Sequence, residues 1–204
     1  RVEHPIYDIF GEGMPKSEAR AHLKIEEGRP VLLFFGYVRR YKGLHVLLEA
    51  MPALLERVPD ALLLVCGEFY DEEQPYRDQA ARLGIEHAVQ LDADYIPNEA
   101  VGTYFCASDV VVQPYVTATQ SGVAQIAYQF RRPSIITDVG GLAEVVPHER
   151  AGFVVPPEDP ASLAAEIARF FEEQWAPRLV DGIEAERAKY SWDRLYEAME
   201  ELIG

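Results

Sequence analysis

Cysteine is scarce here: Cys66 and Cys106 are the two in 204 residues, far apart and each set among apolar neighbours. That argues against a disulfide framework and fits a reduced, cytosolic protein. No apolar run approaches the roughly 20 residues that a membrane span needs, and no signal-peptide pattern stands at the start. Basic residues are few, 19 against 34 acidic ones, for a net charge of −15. A nucleic-acid-binding surface would need the opposite balance. One small anionic ligand is not excluded, because beyond about 8 Å the global field is screened and local cations decide. The five histidines show no metal-ligand spacing. There is no G-x-x-x-x-G-K-S/T phosphate loop and no G-x-S-x-G elbow. "GEGMPK" (11–16) lacks both the third glycine of a dinucleotide fingerprint and a preceding strand. Glutamate is missing from one long stretch, with none between Glu99 and Glu144.

What is present is an alternation. "VLLFFG" (31–36), "ALLLVCG" (61–67), "VQLDA" (89–93), "VVVQP" (110–114), "SIITD" (134–138) and "FVVP" (153–156) read as strands. Most are continuously apolar, which predicts a sheet covered on both faces. Helical patterns lie between them: 43–58, with a kink or restart at Pro52, then 75–83, 98–106 with Asn98 as N-cap, 121–130 and 141–146. After "FVVPPEDP" three closing helices are expected, starting near Pro160, at 176 and at Ser191. Residues 1–28 read as a loose lead-in, and a start at Arg1 suggests an excised or truncated domain. The expectation is one α/β domain over 1–204, a Rossmann-like parallel sheet with helices on both faces.

In such a sheet ligands sit beyond the carboxyl ends of the strands. Gly36, Gly43, Gly67, Gly122, Gly140 and Gly141 all fall on loops at that edge. Each alone could be an ordinary turn glycine. "GYVRRYKG" concentrates Arg39, Arg40 and Lys42 in an acidic protein; it is either a solvated basic turn or a cation pair, Arg39 and Lys42, aimed at phosphate. In "VVVQPYVTATQSGVAQIAYQF" (110–130), Thr117, Thr119, Gln120 and Ser121 lead into a helix whose unpaired amides and dipole favour an anion. The absence of acid there suits a negatively charged guest. "DAD" (92–94) could hold a metal, but a structural role is the preferred reading, and no metal site is expected.

The order "FFGYVRRYKGLHVLLEA", "LLLVCGE", "YIPNEAVGTYFCASDVVVQPY", "RRPSIITDVGGLAEVV" resembles the carboxy-terminal half of a GT-B glycosyltransferase of family 4 (group 1), over about residues 29–157. The resemblance implies a donor-binding domain of a retaining, metal-independent hexosyltransferase, with a UDP-, GDP- or ADP-sugar as donor substrate and no other cofactor. A sugar or lipid-linked acceptor would sit on an amino-terminal domain absent from this chain, and the isolated domain would be inactive alone. A cytoplasmic location follows, with peripheral attachment to the inner membrane face left open; no nucleic-acid partner is expected. Lys42 matches the family's diphosphate-binding Lys. The usual Arg position falls on Tyr37, so Arg39 would substitute; Arg39 and Lys42 are thus the catalytic candidates. Donor binding falls to Gly36, Gly67 and Thr119, to Tyr95 and Ile96 in the base-binding region, to the amides of Gln120, Ser121, Gly122 and Val123 facing phosphate and sugar, and to Gly140 and Gly141 closing the pocket. The family's two Glu positions fall on Ala118 and Ile126, and a one-residue slip puts Gln125 within reach of the ribose. The alternatives are a sugar-nucleotide epimerase, which the glutamate-free stretch disfavours, and a non-catalytic nucleotide-binding module.

Overall fold

The computed structural model describes residues 9–187 of the chain. At its centre lie six parallel strands, β1 Val31–Phe35, β2 Leu62–Cys66, β3 Val89–Asp92, β4 Val110–Gln113, β5 Ser134–Thr137 and β6 Gly152–Val155. Their order across the sheet is β3-β2-β1-β4-β5-β6. Each falls on a run that the sequence marks as a strand. β2, β4 and β5 are buried at every position, so side chains of both parities are apolar and alternation disappears.

Among the described residues eight α-helices accompany them: α1 Lys16–His22, α2 Leu44–Arg57, α3 Gln74–Leu83, α4 Asn98–Ala107, α5 Gly122–Gln129, α6 Leu142–Val145, α7 Pro160–Glu172 and α8 Ala176–Arg187. Leu32, Phe34, Leu63 and Val65 point to one face, into a core shared with Leu47 and Met51 of α2 and Ile167 of α7. Val31, Leu33, Leu64 and Cys66 point to the other, against Phe105 of α4 and Val123 and Ile126 of α5. α7 starts as expected at Pro160, with the Asp159 carboxylate accepting the Ser162 N–H at 3.0 Å. Both cysteines are free and buried.

Three expectations are corrected. α2 runs through Pro52 without a restart; its apolar residues on both sides of the proline, Leu47, Leu48, Met51 and Leu54, are all buried, and that packing outweighs the lost hydrogen bond. Asn98 is the first helical residue of α4 rather than its cap, because Pro97, at φ −60° and ψ 148°, takes the cap position. The lead-in is not wholly loose: α1 packs against α4, and its Arg20 guanidinium donates to Ala107 O and to Asp109 Oδ2, both at 3.0 Å. The third closing helix, with Ser191, lies outside the described residues. Among the described residues no helix is long and apolar enough to cross a membrane.

The chain winds from β1 outward to β3 and then returns to β4 on the other side of β1. The carboxyl ends of β1 and β4 are therefore a topological switch point, where the loops diverge and leave a crevice.

Candidate functional site

Past β1 the chain turns at Gly36, whose N–H donates to Cys66 O at 2.8 Å. Gly67 ends β2 beside it. A short 3-10 turn, Arg40–Lys42, then leads into α2 through Gly43 at φ +73°. A Cβ on Gly43 would lie 1.8 Å from Pro114 O, so only glycine lets this loop lie against the one after β4. The Val116 N–H donating to Tyr41 O at 2.7 Å completes the junction.

That junction turns Lys42 inward. Its residue is 9% exposed, and its Nζ sits 5.9 Å from the centre of the Tyr115 ring. A Cβ built on Gly36 would have Lys42 Nζ at 3.1 Å and Val123 Cγ2 at 3.8 Å. The amine and the first turn of α5 therefore converge over Gly36. Among the described residues the Lys42 amine has no hydrogen-bond or ion-pair partner. Burial, assisted by the nearby Arg39 charge, lowers its pKa from 10.5 to about 8.

α5 is left uncapped by its own N-cap residue. The Ser121 hydroxyl donates to Gln113 Oε1 at 2.6 Å and lies 3.2 Å from the Tyr115 hydroxyl, so it makes no bond to the first-turn amides. Those amides, from Gly122 on, keep their donors for another acceptor. Burial pushes the Tyr115 phenol up to about 12, against the opposing pull of its Ser121 bond. Thr119 and Gln120 are exposed at the lip of this turn. The loop after β5 rests on it: the Gly141 N–H donates to Thr119 O at 3.0 Å, and a Cβ on Gly140 would fall 2.0 Å from Ala118 O.

Beside Gly36 and Gly67 opens a hollow of about 300 Å³. Tyr95 and Ile96 line it, as do Phe10, Phe35, Val101 and Ile126; Glu68 and Asn98 also border it. Gln125 does not line it, and its Oε1 is buried without a partner. Arg39 is not gathered with Lys42: its guanidinium stacks 4.1 Å above the exposed Tyr70 ring, bordering a separate groove with Arg40 and Glu158. Asp92 of "DAD" is engaged as acceptor for the Tyr104 hydroxyl, and no metal-holding group of three or more His, Cys, Asp or Glu occurs among the described residues. Sequence reasoning missed Phe10, delivered by the lead-in, and the Gln113–Ser121–Tyr115 network under α5. A glutamine ending an otherwise all-valine strand was the available signal for the latter.

The model of the family described as "Glycosyl transferases group 1" matches residues 29–173. The D-inositol 3-phosphate glycosyltransferase of Corynebacterium urealyticum is 30% identical over 191 residues, covering 90% of this chain and 45% of that protein. Among solved structures, sucrose-phosphate synthase from Thermosynechococcus elongatus superposes with a TM-score of 0.83 at 26% identity, over 99% of this chain and 51% of that one. Anabaena HepE, solved in complex with UDP-glucose, gives a TM-score of 0.81 at 22% identity, over 97% of this chain and 55% of that one. The chain thus spans about half the length of the curated relatives it matches.

Proposed function

Because the chain belongs to the group 1 glycosyltransferases, with the Rossmann-like architecture of the carboxy-terminal half of a GT-B fold, we propose that it is the domain that holds the nucleoside-diphosphate sugar for a sugar transfer. The observation that carries this reading is Lys42, a buried amine without an acceptor among the described residues, set against the open start of α5 at the switch point. A buried charge without a partner is costly; a guest that brings the missing anion offsets that cost. On this reading the diphosphate lies over Gly36, the nucleoside enters the hollow beside Tyr95 and Ile96, and the Gly140–Gly141 loop borders the sugar. Negative charge grows on the departing diphosphate as the glycosidic bond breaks. Lys42 and the α5 amides therefore stabilise the transition state more than the ground state.

The UDP-glucose held by the similarly folded HepE supports a UDP-sugar donor, with GDP- and ADP-sugars as the alternatives. We take the transfer to be retaining and free of a metal requirement, as the resemblance implies. The acceptor, a sugar or lipid-linked, would be held by a second domain like the part of the relatives this chain does not span. A cytoplasmic setting, with docking at the inner membrane face, suits such an acceptor.

Calorimetric titration of the chain with UDP, GDP and ADP, with and without EDTA, tests the site. One of the three is expected to bind, unaffected by EDTA. Lys42→Ala should weaken that diphosphate by about 30-fold or more, while the matching nucleoside loses less than about twofold. Equal losses for the two ligands would remove Lys42 from the site, and binding that requires a divalent ion would remove the metal-free reading.

A further inference from the structure

We propose that the nucleoside seat does not read the ribose hydroxyls, so that 2′-deoxyribonucleoside diphosphates occupy it as well as ribonucleoside diphosphates do. This rests on reading the Lys42 seat as a diphosphate site. α5 runs alongside the passage from Gly36 into the hollow. Val123 and Ile126, three residues apart, share its inner face: Val123 Cγ2 lies 3.8 Å from the point above Gly36, and Ile126 lines the hollow. From Gly122 to Ile126 the helix rises about 6 Å, comparable with the span from a β-phosphate to its ribose. A ribose laid along that stretch faces two branched hydrocarbon side chains, both buried, and neither can accept a hydrogen bond.

A hydroxyl that gains no partner in the complex adds nothing favourable to affinity, and opposes binding where it loses its water, so deleting it costs nothing. A site discriminates strongly for a hydroxyl only where it holds a polar group that the deoxy ligand would leave unpaired. The polar side chains that border this hollow, Tyr37, Glu68, Tyr95 and Asn98, are all exposed. They come from the loops after β1, β2 and β3 and from the start of α4, so water satisfies them whichever ligand is bound. Gln125, on the same helix, does not line the hollow, and its Oε1 is buried.

Titration of the unaltered chain with matched pairs, UDP and 2′-deoxy-UDP, GDP and 2′-deoxy-GDP, ADP and 2′-deoxy-ADP, decides the matter. For whichever base binds, the two dissociation constants should agree within about twofold. A preference of about tenfold or more for the ribonucleotide would overturn the inference while leaving the diphosphate reading intact. Failure of all six to bind would remove both. Ile126→Gln provides a positive control on geometry: an amide at that wall should shift the ratio toward the ribonucleotide by about fivefold, and an unchanged ratio would show that the ribose lies elsewhere, which also overturns the inference.

Discussion

Two buried cations stand at opposite ends of the same strands, and their surroundings differ. At the amino end Arg20, 4% exposed, is fully engaged: it bonds Ala107 O and Asp109, and Asp109 in turn accepts the Val31 N–H at 2.7 Å and pairs with Lys16. At the carboxyl end Lys42, 9% exposed, has an aromatic ring and a glycine for company. A charge enclosed by its own acceptors holds the fold together; one left without them has its bonding capacity free, which is what the proposed diphosphate seat draws on. The contrast separates structural from ligand-directed burial without reference to any bound molecule.

The sharpest way to break the comparison is to remove each cation in turn. Arg20→Met takes one donor from Asp109 and leaves the Ala107 and Glu26 carbonyls without theirs, and should lower stability by about 2–4 kcal/mol in urea unfolding, reduced from the fully buried case because Asp109 keeps Lys16, the Val31 N–H and some solvent. A loss below about 1 kcal/mol would mean that the amino-end cluster is not a staple. Lys42→Met should move the other way, gaining about 1–3 kcal/mol at pH 7, since an unpaired charge is replaced by an apolar side chain of similar length.

The pH dependence sharpens the second half. The pKa of Lys42 is about 8 in the folded chain against 10.5 unfolded. Between those values the unfolded state binds the extra proton, so stability rises with pH. Below about 8 both states are protonated and the penalty is fully present. The stability deficit of wild type relative to Lys42→Met should therefore shrink from pH 8 to pH 10.5, read from urea midpoints; a flat difference would place Lys42 in water. Diphosphate affinity should fall over the same rise, as the free amine loses its charge. Tyr115→Phe is the smallest expected change, no more than about 1 kcal/mol in stability and about twofold in diphosphate affinity. A larger drop in affinity would show that the hydroxyl, rather than the ring, seats the amine.

The strands were legible because a doubly covered parallel sheet writes itself as uninterrupted apolar runs. α1 was not. Of "KSEARAH" only Ala19 and Arg20 are buried, so the helix is anchored by ion pairs and carries no apolar stripe. That Lys42 and the glycines lie at the crevice was legible from position alone, since strand ends in such a sheet face it. The stacking of Arg39 on Tyr70 could not, because the tyrosine arrives on a different loop. Phe10 reaches the hollow by a tertiary contact that has no periodicity to betray it.

Gly43 carries a further consequence. Its bare α-carbon abuts the Pro114 carbonyl, so the gap between the amine and the tip of α5 is gauged by the thickness of one atom. The two segments form a matched set. Transplanting either one alone from a relative would leave the lysine out of register with the helix it serves, whereas exchanging both together would carry the spacing along intact.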